Sequence, residues 1–176
     1  KYKINLIIPL SDWDLEILSA NKRKFNLINC DLLLSDKSLI SRLTNKIKFF
    51  AFCENNSLLS PICSLSAAKI KSKKIIHKMI YGSASYMQEI IPRNKNKFKI
   101  KEGFFFQEFI EGEEYGMDIL NSTDGNYVHS FTKKKLMIKN GETYSAVGVY
   151  DKKFEILAKK ISKLTKHIGV IDIDLI

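Results

Sequence analysis

Apolar and polar residues alternate along this chain with two periods. Ile4 to Pro9 is a short run with β-branched residues and predicts a strand. Ser11 then opens a segment whose apolar positions recur at helical spacing through Leu18 and Phe25, which predicts a capped helix. Asp31 to Ser35 repeats the strand pattern, and Asp36 caps a helix expected to run to about Asn55. Strand, helix, strand, helix in succession suggests a parallel α/β layer. Pro61 closes that stretch, and a lysine-rich segment from Lys69 leads into a further strand, Lys74 to Ile80. Pro92 to Lys101 is polar and basic, as an exposed loop would be. Phe104 to Ile110 and Tyr115 to Asn121 are predicted strands joined by the acidic turn Glu111–Glu114. Turn residues at 122–126 and at Asn140-Gly141 send the chain back twice more, through Tyr127–Ile138 and Glu142–Tyr150, which predicts an antiparallel meander. Asp151 caps a last helix with the apolar stripe Phe154, Leu157, Ala158, Ile161 and Leu164. Gly169 is expected to end it before a final strand, Asp172–Ile176.

Composition narrows the class. With 176 residues, 45% of them hydrophobic, the chain can bury one sizeable core or two small lobes. No apolar run approaches the roughly 18 to 20 residues a membrane helix needs, and no secretory signal opens the chain, so a soluble, cytoplasmic protein is expected. Cys30, Cys53 and Cys63 lie far apart with no C-x-x-C pair, which argues against a disulfide framework or a zinc site. The formal charge of +10 could attract a polyanion, yet among 29 basic residues only Arg23, Arg42 and Arg93 are arginine, the residue that phosphate and nucleic-acid readers favour. Neither nucleic acid nor membrane is expected as a partner. The first residue is Lys1, not Met, and the last strand stops at Ile176, so both ends read as cut.

Two segments carry candidate chemistry. In Lys78-Met-Ile-Tyr-Gly82-Ser83-Ala-Ser85 a lysine near the end of a strand precedes a glycine and small residues, a composition that lets backbone N–H groups approach phosphate oxygens while the ammonium faces the same charge. Taken alone, a strand ending in a small-residue turn with a solvated lysine explains it as well. Gln107-Glu108-Phe109-Ile110-Glu111-Gly112-Glu113-Glu114 follows, running into a strand with Asp118. A strand end can offer an N–H and a C=O to an adenine edge, and a nearby carboxylate can accept from ribose hydroxyls. An exposed acidic turn is the plainer alternative. Phe104, Phe105 and Phe106 read as core, His77, His129 and His167 as structural or exposed, and Tyr144 and Ser145 as pocket-lining or packed.

Together these two segments resemble the ATP-grasp superfamily, most of all its carbamoyl-phosphate-synthase-like, carboxylate–amine ligase branch. Ile7-Ile8-Pro9-Leu10 is similar to the end of that family's Rossmann-like pre-ATP-grasp domain, and Asn45-Lys46 and Pro61 to landmarks that open the grasp domain. The resemblance implies an α/β chain, α+β in its lobes. Its divisions would be a pre-grasp remnant at 1–35, a connecting helix and small lobe at 36–107, and a truncated large lobe at 108–176. It implies ATP-dependent activation of a carboxylate as an acyl phosphate for attack by an amine or similar nucleophile, with ATP and Mg²⁺ as cofactors and room for a homodimer. By position it makes Lys46 and Lys78 phosphate contacts, Gly82, Ser83 and Ser85 a phosphate-covering loop, and Glu108, Phe109 and Ile110 the adenine segment. Glu114 would hold the ribose, Lys135 (with Lys133 beside it) would reach phosphate or substrate, and Asp174, supported by Asp172, would ligate magnesium.

Departures from the pattern accompany these matches. The family's next strand bears a Glu-x-Asn-Pro-Arg signature that would complete the magnesium site, and it is not in this sequence; the stretch from Ser85 to Phe104 is also short. A non-catalytic nucleotide-binding relative is therefore the first alternative, and a basic polyanion-binding protein the second.

Overall fold

The computed structural model describes residues 3–83, 85–93 and 101–176. The chain forms two compact units, one of Lys1–Ser41, Glu113–Met137 and Tyr144–Ile176, the other of Arg42–Gly112 with Ile138–Thr143.

In the first unit, β1 (Leu6–Ile7) and β2 (Asp31–Leu32) pair in parallel around α1 (Asp12–Asn26), as the strand–helix–strand pattern predicts. Leu32, Leu34 and Ile40 make their small core with Ile7, Leu15, Leu18 and Phe25 packed against it. A four-stranded sheet ordered β10-β7-β8-β9 follows, built from β7 (Tyr115–Asn121), β8 (Tyr127–Lys139), β9 (Glu142–Val149) and β10 (Gly169–Leu175), with β10 antiparallel to β7. Strand periodicity divides this sheet. Met117 and Ile119 are fully buried, as are Ala158 and nearly so Ile161 on α4 (Lys152–Thr165), which packs on β7. Residues of opposite parity (Gly116 and Asp118 on β7, with Glu114 just before it, Lys133 and Lys135 on β8, Asp172 and Asp174 on β10) share the other face. Burying one apolar side chain of this kind contributes roughly 1.5–3 kcal/mol, so the register that turns Met117 and Ile119 inward also turns the charges outward. Asp151 caps α4 through the Lys153 N–H, 2.8 Å from its carboxylate.

The second unit holds α3 (Lys46–Asn55) and a sheet ordered β3-β6-β4-β5, from β3 (Cys63–Ser64), β4 (Lys74–Met79), β5 (Glu89–Pro92) and β6 (Phe104–Glu108). Ile70, Ile75, Ile91 and Phe106 form its core, with Ala67 beside them, while Phe105 is fully buried and meets Phe50 of α3 at 6.2 Å between ring centres.

Several expectations are corrected. The helix predicted from Asp36 to Asn55 is two, α2 (Lys37–Thr44) and α3, because Asn45 adopts an extended conformation and caps α3 by accepting from the Lys48 N–H at 3.0 Å. Glu89–Pro92 is a strand that the alternation did not reveal; of the predicted loop that begins at Pro92, residues 94–100 lie outside the described residues. β6 and β7 belong to different sheets, so the acidic segment is a connection and not a hairpin turn. Lys166, at φ 47°, takes the left-handed position after α4, and Gly169 starts β10. No helix among the described residues is long and apolar enough to cross a membrane.

Candidate functional site

Eight of the predicted site residues lie in the second unit. Lys46 stands first on α3, fixed by the Asn45 cap, and its backbone N–H donates to the Ile80 carbonyl at 3.0 Å. Its ammonium also donates to the Gly82 carbonyl. The structure thus brings Lys46 to the head of the small-residue segment after β4. Gly82 has φ 108°, a conformation that suits glycine, and Ser85 is also left-handed, at φ 51°. Tyr86 N–H donates to the Ser83 carbonyl at 3.2 Å, and Gln88 N–H to that of Ser85 at 3.0 Å, so the segment turns on its own backbone bonds.

Lys78 lies opposite Phe105 in the β4–β6 ladder, its ammonium 5.7 Å from that ring's centre. It also faces Cys63, whose thiol is pushed up to about 12 by burial, the positive charge of Lys78 working against that rise. Such a thiol is not a nucleophile at neutral pH. Glu108 ends β6 with its N–H donating to the Ile62 carbonyl at 2.8 Å and its carboxylate accepting from the Ile62 N–H at 3.2 Å. Its amide N–H is therefore committed within the sheet. Phe109 lies under the Lys74 ammonium, 5.1 Å from the ring centre; Lys74 pairs with Glu111 at 3.2 Å, and Ile110 between them is exposed. His77 is buried between the rings of Phe104 and Phe106, at 4.8 and 5.0 Å, in the structural role expected of it.

The other three, Glu114, Lys135 and Asp174, lie together in the first unit on the charged sheet face. Lys135 Nζ is 2.5 Å from Asp174 and 3.9 Å from Glu114. Lys133 Nζ is 2.9 Å from Asp118, and the Asp118 hydrogen bond holds that ammonium above its usual range. Asp172 lies directly opposite Asp118 in the ladder. Partial burial of its carboxyl, and then the neighbouring Asp118, push it above the ordinary carboxylate range, with Lys133 opposing. Gly116 is the floor of this arrangement, for a Cβ there would come within 2.8 Å of Lys133 Cε and 3.6 Å of the Asp172 carboxylate. The sequence reading did not single out Gly116. Its signal was available in the three matching alternations 114-x-116-x-118, 133-x-135 and 172-x-174. A groove of about 360 Å³ on α1, lined by Ile17, Leu18 and Phe25 among others, involves none of these residues.

Magnesium prefers octahedral oxygen ligation. Among the described residues no group of three His, Cys, Asp or Glu is placed to hold a metal ion, and Asp118, Asp174 and Glu114 each face a lysine. These carboxylates do not fit a closed magnesium site.

The sequence profile of the ATP-grasp domain matches residues 43–176. The chain belongs to the ATP-grasp family. Its fold matches the biotin carboxylase domain of Hydrogenobacter thermophilus 2-oxoglutarate carboxylase, solved with MgADP and bicarbonate, at a TM-score of 0.75 and 12% identity over 97% of this chain and 44% of that one. It also matches Coxiella burnetii D-alanine–D-alanine ligase (TM-score 0.68, 11% identity, 98% and 55% covered) and Bacillus licheniformis L-amino acid ligase (0.61, 18%, 91% and 43%). The ATP-grasp chain thus spans about half the length of these relatives. No curated protein matches it in sequence.

Proposed function

We propose that the chain binds ATP and serves ATP-dependent ligation, in which a carboxylate oxygen attacks the γ-phosphorus and displaces ADP. An amine or similar nucleophile then adds to the acyl phosphate carbon and expels inorganic phosphate. The observation that carries this reading is Lys46, fastened to Gly82 at the head of a turn of small residues within the family match. Phosphoryl transfer asks a protein chiefly for alignment and for positive charge against the phosphate oxygens. Lys46, Lys78 and Lys135 would supply that charge, Gly82, Ser83 and Ser85 would cover the phosphates, Glu108, Phe109 and Ile110 would take the base, and Glu114 the ribose. The neighbour solved with MgADP supports magnesium as the ion that would accompany the nucleotide. The carbamoyl-phosphate-synthase-like branch rests on the motif resemblance; the dimeric biotin carboxylase domain supports a homodimer, and dependence on ATP a cytoplasmic location.

Calorimetric titration of ATP into the chain and into Lys78→Ala tests the reading. Micromolar binding weakened at least about tenfold by the substitution is expected, the scale of one charge-assisted contact to phosphate. A folded chain without ATP binding would sink it. The lysine-paired carboxylates favour a second reading, a nucleotide-binding relative without catalysis. ATP binding with no acyl phosphate trapped by hydroxylamine, across a panel of carboxylates, would favour that one.

A further inference from the structure

β9 is an outer strand of its sheet, and among the described strands it bonds to β8 alone. It follows β8 after the two-residue turn Asn140-Gly141, with φ 53° and 80°, the backbone of a tight hairpin. Such a turn makes Lys139 and Glu142 a hydrogen-bonded pair, so every second residue from Glu142 directs its N–H and C=O to β8. The backbone groups of Thr143, Ser145, Val147 and Val149 therefore point out of the sheet's edge. Protein edges are ordinarily guarded by charges, by proline or by shortness. The opposite edge strand, β10, carries Asp172 and Asp174. β9 runs for eight residues, and from Thr143 to Tyr150 it has neither a charge nor a proline, in a chain with 29 basic residues and a net charge of +10. Its residues from Glu142 to Gly148 are exposed in unbroken succession, hence on both faces of the sheet.

We propose that β9 is the pairing edge for a second copy of this chain, antiparallel, with Ala146 on the two-fold axis. Pairing centred there sets Thr143 against Val149 and Ser145 against Val147, so that all the outward N–H and C=O groups find partners. Between these pairs Tyr144 faces Gly148 and Ala146 faces Ala146, at the positions where antiparallel strands come closest; an aromatic ring beside a bare glycine and two methyl groups suit that spacing. Phe131 leans over Gly148, its ring 3.1 Å from where a Cβ would stand, so the second copy's Tyr144 meets an aromatic edge there. Charge selects the same direction. Glu142 begins the strand and Lys152 and Lys153 follow it, so antiparallel pairing brings the carboxylate of each copy towards the lysines of the other, whereas parallel pairing would set like charges together. The contact is isologous and closes at two copies. It owes nothing to the nucleotide reading, and ATP plays no part in its test.

Sedimentation velocity over a range of concentrations reads the association for wild type, Ala146→Lys, Val147→Pro and Val170→Lys, with circular dichroism to show that each variant is folded. Val170 is the control, because it is exposed on the opposite edge strand, β10. Wild type and Val170→Lys should form dimers. Ala146→Lys sets two ammonium groups against each other on the axis, and Val147→Pro removes an outward N–H from each copy, so each should raise the dimer dissociation constant at least about tenfold. Register is read separately. In Ala146→Cys the two thiols meet on the axis, and oxidised glutathione should join them, two thiols giving one intermolecular disulfide and two molecules of reduced glutathione. Ser145→Cys, which faces Val147, should cross-link at least about tenfold less. Cys30 and Cys53 are buried and Cys63 half-buried, and wild type supplies their background. A monomer at every concentration, an assembly larger than two, a dimer that Ala146→Lys leaves intact or that Val170→Lys disperses as well, or no preference for Ala146→Cys over Ser145→Cys would each overturn the proposal.

Discussion

Two glycines of the first unit show how differently one atom weighs at different positions. At Gly116 an added Cβ would meet Lys133 Cε at 2.8 Å, a methylene of a flexible side chain that can swing aside. At Gly125 it would meet the Lys166 carbonyl oxygen at 2.7 Å, which is backbone, and the residue sits at φ +75°. Gly125→Ala is expected to cost more than about 2 kcal/mol, adding left-handed strain to a contact that cannot relax. Gly116→Ala should stay within about 1 kcal/mol of wild type, because alanine suits a strand better than glycine and offsets part of the displaced Lys133–Asp118 pair. Urea unfolding of the two variants measures the contrast, and equal losses would contradict it. The same face explains why Lys133 and Lys135 were hard to assign from sequence. Consecutive lysines on a strand look like a solvated edge, and only the cross-strand partners Asp118, Asp174 and Glu114 reveal an ion-paired surface.

At the scale of the element, the break at Asn45 decides where a candidate phosphate contact stands. A continuous helix would place Lys46 mid-helix, whereas the cap makes it the first residue of α3, with its N–H turned to the Ile80 carbonyl. The Asn45 side chain works in two directions, accepting from Lys48 N–H and donating to the Tyr81 hydroxyl at 2.9 Å. Asn45→Ala is expected to destabilise the second unit by about 1 kcal/mol, while Asn45→Ser, which keeps the cap, should recover most of that loss. Chemical denaturation followed by helix circular dichroism checks this, and an Asn45→Ala chain as stable as wild type would remove the cap from the account. Long periodic elements were legible in advance: β7 matches its predicted span, β8 and β9 match within a residue, and Asp151 caps α4 as expected, although α4 stops at Thr165, short of the Gly169 that was expected to end it. The four-residue β5 was not, since Glu89–Pro92 carries too few residues to establish a period and ends in a proline, which belongs at strand ends and edges.

Across the whole molecule, each unit buries one histidine. His167 is fully buried, its Nε2 donating to the Ile119 carbonyl at 3.0 Å and its Nδ1 facing the Thr165 hydroxyl at 2.8 Å and the Asn121 amide at 3.4 Å; Ser162 closes the set by donating to Asn121 at 2.7 Å. A second proton on Nδ1 would confront those groups, and burial lowers the pKa of both His167 and His77 below 6.5. The sign follows from proton uptake. Below about pH 6.5 the unfolded chain takes up protons that the folded chain refuses, so stability is full above that value and falls as pH drops towards the lowered folded pKa. Asp172 acts in the opposite sense, from 3.8 up to its raised value. The urea midpoint is expected to be lower at about pH 5 than at about pH 7.5, with a smaller difference in His167→Leu. A midpoint independent of pH over that range would contradict the burial argument.

The sequence alone determined the types of the long elements, the apolar stripe of α4 and the pair of segments that resemble the ATP-grasp family, because helix and strand periods, caps and turn residues act over a few neighbouring positions. Tertiary structure decided the rest. Which sheet holds β6, and which charged alternations converge, depends on strand pairing between residues as distant as Gly116 and Asp174. A period of two puts Asp172 and Asp174 on one face but does not name their neighbours; register does, and register is set by burying Met117 and Ile119 under α4.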